Sequence, residues 1–152
     1  MAKRLLIAMC AMCALLVAAI AAAVAYGGPG NPPPMPSIGN PFRSVDYSTL
    51  PPLRHYQGED GASLAYRLYE PEGTPKGSVV LVHGSAGQSN SMHVMGQGFA
   101  RQGYAAYALD MRGHGDSGTR GKIGYIGQHE DDVAAFMRTV APARPATLAG
   151  FS

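Results

Sequence analysis

The order of apolar and polar residues divides the chain into three stretches. From Leu5 to Tyr26 no residue is charged and nearly all are apolar. That length predicts an apolar helix of the kind that crosses a bilayer, which needs about 20 such residues. Residues 27–41 read GGPGNPPPMPSIGNP, in which ten of fifteen are Gly or Pro. Such a composition holds neither a helix nor a central strand and favours extended polyproline geometry. A spacer is therefore expected over residues 27–52. From Leu53 onward, short apolar runs alternate with Gly-rich breaks, and a folded domain is expected over 53–152.

Within that domain, Arg54–Gln57 and Leu64–Tyr69 are short alternating segments joined by Gly58-Glu59-Asp60-Gly61, a hairpin signal. Ser78–Val82 is a continuous β-branched run, as expected of a strand buried on both faces. After a Gly/Ser loop, Met92–Gln102 reads as a helix ended by Gly103. Tyr104–Leu109 reads as a second buried strand, followed by a Gly-rich loop to Gly127. Glu130–Val140 reads as a helix with acidic residues in its first turn and Arg138 near its end, as the helix dipole prefers. Ala146–Ala149 begins a third buried strand. An antiparallel hairpin followed by β-α-β-α-β predicts an α/β fold with a mostly parallel sheet.

Composition sharpens this picture at two points. Charged residues make up 14% of the chain, against about 25% in an average soluble domain, and much of the deficit lies in the N-terminal run. The net charge is +2, and no Lys/Arg run exists beyond Lys3-Arg4, so nothing here makes a case for nucleic acid and no nucleic-acid partner is expected. Cys10 and Cys13 form a C-x-x-C spacing inside the apolar run. With no second pair to complete a metal site, they read as small apolar residues of a helix. No metal and no cofactor is expected.

Lys3 and Arg4 ahead of residues 5–26 fit either a membrane anchor or a signal peptide cleaved at the small-x-small site Ala23-Val24-Ala25. Both readings leave the positive residues in the cytoplasm and deliver the domain outside it, anchored or secreted.

Three motifs follow the three buried strands in order. They are His83-Gly84-Ser85-Ala86-Gly87, then Asp110-Met111-Arg112-Gly113-His114-Gly115-Asp116-Ser117-Gly118, then Gly150-Phe151-Ser152. Together they resemble the α/β-hydrolase superfamily, and within it the monoglyceride lipase, lysophospholipase and serine aminopeptidase group. The resemblance covers Leu53 to Ser152, and D-x-R-G-H-G-x-S is its most specific part. It implies that Gly150 and Ser152 open a G-x-S-x-G turn in which Ser152 is the nucleophile, exposed between a strand and a helix. It also implies that the Ser85 backbone N–H, following His83-Gly84, is one donor of the oxyanion hole. The family's triad runs Ser, Asp or Glu, then His. Asp110 and His114 precede Ser152 and do not match, so their loop, with Arg112 and Asp116, is expected to be structural. His55, His93 and His129 have no motif around them and are expected at the surface.

The expected activity is hydrolysis of carboxylic esters of lipids or small acyl compounds through an acyl-enzyme. The acid and base are expected beyond residue 152, so this stretch reads as the N-terminal, inactive part of a longer enzyme whose last strand is left as an open apolar edge. Peptide hydrolysis by a serine aminopeptidase is a variant of the same chemistry. A non-catalytic, membrane-anchored hydrolase-like remnant or interaction protein is the alternative of another class. Nucleotide binding is weakly supported, since Gly84–Gly87 lacks G-x-G-x-x-G and no P-loop Lys follows.

Overall fold

The computed structural model describes residues 1–27 and 44–151. Most of the stretch expected as a spacer, and Ser152, lie outside the described residues. The chain divides into two compact units, Met1–Asn40 and Pro41–Ser152. In the first, Ala2–Tyr26 forms helix α1, which is long and apolar enough to cross a membrane, a property shared with signal sequences. Cys10 and Cys13 are exposed on it as free thiols.

The second unit contains strands β1 (Leu53–Gln57), β2 (Ser63–Tyr69) and β3 (Ser78–Val82), then a 3-10 turn (Ser89–Met92) leading into helix α2 (His93–Arg101). Strand β4 (Ala105–Leu109), helix α3 (Gln128–Thr139) and strand β5 (Ala146–Gly150) follow. The five strands form one sheet in the order β1-β2-β4-β3-β5. The pairs β1/β2 and β2/β4 are antiparallel, and β3/β4 and β3/β5 are parallel. This is the hairpin followed by β-α-β-α-β that the residue pattern predicts.

Strand alternation sends successive side chains to opposite faces, and both faces of the centre are covered. On one face Val80, Tyr107 and Leu109 pack with Leu64, Tyr56, Tyr66 and the fully buried Phe136 of α3. Phe136 meets Tyr56, Tyr66 and Tyr107 edge-on at centroid distances of 5.2, 5.3 and 5.5 Å, an arrangement favoured by ring quadrupoles. On the other face Val79, Leu81, Ala106 and Ala108 pack with Tyr69, Met92 and Phe99. A Cβ on Gly96 of α2 would lie 2.5 Å from the Tyr69 ring, so only glycine lets the helix approach this closely.

The third apolar strand forms, and in this structure it is the open apolar edge expected of it. β5 pairs only with β3 among the described residues, and Leu148 is 59% exposed. Apolar composition gave the strand its correct type, but burial depends on neighbours that composition does not specify.

Ser44–Pro52, the last part of the expected spacer, lies against the domain. Tyr47 packs on the His93 ring at 5.8 Å, and Thr49 Oγ1 meets His93 Nε2 at 3.2 Å and accepts from Gln97 Nε2 at 2.9 Å.

Candidate active site

Strands β3, β4 and β5 run parallel and finish in register, with Val82 opposite both Leu109 and Gly150. Their three following segments therefore begin side by side at one sheet edge. In open α/β sheets this carboxyl edge is where ligands bind. His83, Gly84, Ser85 and Gly150 are thus brought to a common edge. Phe151 extends the β5 register by donating its N–H to Val82 O at 2.9 Å, and Ser152 lies outside the described residues.

His83 is buried at the start of the first of these loops. Its Nδ1 is 2.7 Å from Gly84 O, and its Nε2 is 3.1 Å from the Met111 backbone N. Those partners assign the neutral tautomer with the proton on Nδ1, since Nε2 must accept. Burial pushes the His83 pKa below its ordinary value, opposed by the Gly84 carbonyl. With both ring nitrogens occupied, His83 ties two loops together and has no lone pair left for a substrate proton.

Gly84 O also accepts the Gly87 N–H at 2.8 Å, closing a tight turn. A Cβ at Gly87 would lie 3.0 Å from the His83 Cβ, so the turn is built on glycine. Ser85 sits exposed on this turn, and its carbonyl meets His114 Nε2 at 2.9 Å. Its backbone N–H has no protein acceptor among the described residues, which is the condition a donor to a developing oxyanion must meet. A Cβ at Gly150 would meet nothing among the described residues.

The loop after β4 is held from within. Asp110, buried, accepts the Ser89 N–H at 2.5 Å and the Asp116 N–H at 3.0 Å, so its carboxylate closes both loops. Gly115, at φ +52°, passes so close that a Cβ would lie 2.3 Å from Asp110 Cγ. Ser117 Oγ accepts the Ala65 N–H at 2.7 Å, and Ala65 O accepts the Asp110 N–H at 2.9 Å, fastening the loop to β2. His114 packs on His83 with ring centroids 5.0 Å apart. Asp116 pairs with the exposed His55 at 2.9 Å.

Arg112 is the central tie. Its Nε and Nη2 each donate to Asp132 of α3 at 2.7 Å, and Nη1 and Nη2 donate to Asp60 of the β1–β2 turn at 2.9 Å. Two carboxylates on one guanidinium raise the Arg112 pKa above its ordinary value, and the Arg112 hydrogen bonds hold the Asp60 carboxyl below its own. Asp60 and Asp132 carry no sequence signal, because they pair with Arg112 across 52 and 20 residues.

Of the three histidines expected at the surface, only His55 is there. His93 is 1% exposed, with Nδ1 3.1 Å from Tyr69 Oη and Nε2 against Thr49, and His129 is half-buried. The helix reading Met92–Gln102 gives the turn spacing but not Ser44–Pro52, whose packing covers His93. Among the described residues no cluster of His, Cys, Asp or Glu is arranged to hold a metal ion.

Comparison with known proteins places this geometry in a family. The profile described as "Serine aminopeptidase, S33" matches residues 73–152. A monoacylglycerol lipase of Mycolicibacterium smegmatis is 41% identical over 41% of this chain and 22% of its own length. A monoglyceride lipase of Rattus norvegicus is 30% identical over 78% of this chain and 40% of its own. The chain thus spans less than half the length of these curated relatives. Among solved structures, a bacterial membrane phospholipase A superposes with a TM-score of 0.57 at 25% identity, over 99% of this chain and 44% of that one. The sheet order, the motif-bearing loops at its carboxyl edge and the match over residues 73–152 agree: the chain belongs to the serine aminopeptidase S33 family of the α/β-hydrolase superfamily.

Proposed function

We propose that this chain is the nucleophile-bearing part of a serine hydrolase that cleaves carboxylic esters of lipids. The observation that carries the reading is the Ser85 backbone N–H, without a protein acceptor among the described residues, on a glycine turn fixed by His83 at the carboxyl edge of the sheet. In the proposed reaction Ser152 Oγ attacks the ester carbonyl carbon and loses its proton to a base. The Ser85 N–H and the N–H of the residue after Ser152 hold the oxyanion. The C–O bond to the alcohol breaks, the base returns the proton to the departing alkoxide, and water then releases the acid. The acid and the histidine base are proposed to come from the part of the protein after residue 152. Loss of one oxyanion donor costs about 2.7–4 kcal/mol of transition-state stabilisation.

Lipid esters are favoured by an almost wholly apolar groove of about 250 Å³ whose walls include Val45, Tyr47, Met92, Val94, Met95 and Phe151. It opens beside the residue that precedes Ser152 and suits an acyl chain, as the monoglyceride lipase relatives also suggest. Peptide substrates are the second reading, favoured by the family's aminopeptidase description. We assign α1 as an uncleaved anchor that holds the domain outside the cytoplasm. The test is hydrolysis by the full-length protein of a monoacylglycerol against an aminoacyl anilide. Ester turnover that falls at least about a thousandfold in Ser152→Ala supports the reading, in line with loss of a triad nucleophile. Anilide turnover alone would move the assignment to peptides.

A further inference from the structure

We propose that the tip of the loop between β4 and α3, residues 120–126, is a membrane-contact site that inserts into the interface of an anionic bilayer. Ile126 is 100% exposed, and Ile123 and Tyr125 are about half-exposed beside it. Arg120 and Lys122 precede them in the same loop, both exposed, and no Asp or Glu occurs from Ser117 to His129. Clustered apolar side chains left in water mark a contact surface.

The tip is presented on fixed supports. The Gly121 N–H donates to Gly113 O at 2.8 Å, the Lys122 N–H to Thr119 O at 3.1 Å, and the Gly124 N–H to Gln128 Oε1 at 2.5 Å. Tyr125 Oη donates to Asp131 Oδ2 at 2.6 Å, which ties the tip to the first turn of α3 while half of Tyr125 stays exposed. Of the other acids near the loop, Asp116 is paired with His55, Asp60 and Asp132 with Arg112, and Glu59 with Arg138, while Glu130 is exposed in the first turn of α3.

Three features select a lipid surface over a protein partner. Two cations immediately followed by Ile and Tyr side chains match anionic headgroups above acyl chains. Tyrosine is the side chain whose apolar body and polar tip suit that boundary. The same chain carries an apolar helix long enough to span a bilayer, joined to Ser44 by residues 27–43. Those residues reach at most about 60 Å when fully extended, so an anchored domain stays at high effective concentration over the surface. The loop also starts at the carboxyl end of β4, the edge that holds the proposed ester site, so docking there would turn that edge toward its lipid substrate. The inference rests on the anchor reading for proximity alone and not on catalysis.

The chain contains no tryptophan, which makes a single reporter clean. The full chain carrying Ile126→Trp is reconstituted into vesicles of three parts phosphatidylglycerol to seven parts phosphatidylcholine with a shallow spin-labelled lipid, and floated. Glu72→Trp, in the β2–β3 connection at the opposite sheet edge, is the control. The expected result is blue-shifted emission and several-fold stronger quenching at position 126 than at 72, reduced when Arg120→Glu and Lys122→Glu are added. Equal quenching at both positions in floated chains would overturn the loop proposal while leaving the anchor standing. Emission at 126 already blue-shifted without vesicles and insensitive to the quencher would point to a protein contact and overturn it as well. A chain that fails to float would remove both the anchor and the loop.

Discussion

His83 Nε2 accepts the Met111 backbone N–H at 3.1 Å, so one buried imidazole joins the loop after β3 to the loop after β4. The bond requires the neutral ring, and burial keeps the ring neutral by lowering its pKa. Both loops reach the proposed site, so its shape depends on a proton that is absent.

The consequence is a dependence of stability on pH. Unfolded His83 titrates near its ordinary pKa of about 6.5, and folded His83 below it. Between those values the unfolded state binds more protons, so the stabilisation present above about 6.5 is lost as pH falls toward the folded value. His83→Gln is expected to lower stability by about 1 kcal/mol at pH 7.5, and the gap from the parent should shrink by pH 5.5. Urea midpoints at the two pH values check this, and a gap that stays constant would show that His83 is not held neutral.

Arg112 lies between Asp132, whose side chain is 4% exposed, and Asp60, at 49%. Arg112→Ala leaves the Asp132 carboxylate buried without its partner, and is expected to cost about 3–5 kcal/mol, a large share of a typical domain's stability. Arg112→Met combined with Asp132→Leu should cost less than the single change, because the charge left unpaired, Asp60, is half-exposed and reaches solvent. Denaturant unfolding of the two variants distinguishes a buried pair from a surface one, whose removal would cost under about 1 kcal/mol.

Two glycines of α2 should respond to alanine with opposite signs. Alanine is the better helix former by up to about 1 kcal/mol. At Gly98 a Cβ meets nothing within 4 Å, so Gly98→Ala is expected to stabilise. At Gly96 it would meet the Tyr69 ring at 2.5 Å, and that ring is 4% exposed with its hydroxyl on His93. Gly96→Ala is therefore expected to destabilise by about 1–3 kcal/mol, the usual cost of overpacking. Thermal melts of the pair check the packing of α2, and equal shifts would contradict it.

These contrasts show what the residue pattern carries and where it stops. The runs Ser78–Val82 and Tyr104–Leu109 are apolar on both faces, which only a central strand requires, so β3 and β4 are legible. The turn Gly58–Gly61 between alternating segments makes β1 and β2 legible for the same local reason. The burial of His93 is not, because it is made by Tyr69 and by Tyr47 and Thr49, which lie more than 20 residues away in sequence. The Arg112 tie is half legible: the motif marks the arginine, but its two carboxylates come from separate elements. Motif order alone points to Ser85 as a proposed donor, and the structure shows its backbone N–H without a protein acceptor among the described residues.

That donor is a backbone atom, which separates two substitutions at one position. In the full-length protein Ser85→Ala is expected to leave ester turnover within about twofold, and Ser85→Pro, which removes the N–H, to lower kcat about 10²–10³-fold. Steady-state rates alongside circular dichroism of each variant check this. A large loss in the alanine variant would transfer the role to the side chain.

The central claim is that Ser152 is the nucleophile of this edge. Labelling of the full-length protein with a fluorophosphonate, read by intact mass and peptide mapping, tests it most directly. The account predicts one phosphonyl adduct on the peptide containing Ser152, absent in Ser152→Ala while the melting temperature is unchanged. Labelling that persists in Ser152→Ala, or a folded parent that takes no label, would contradict it.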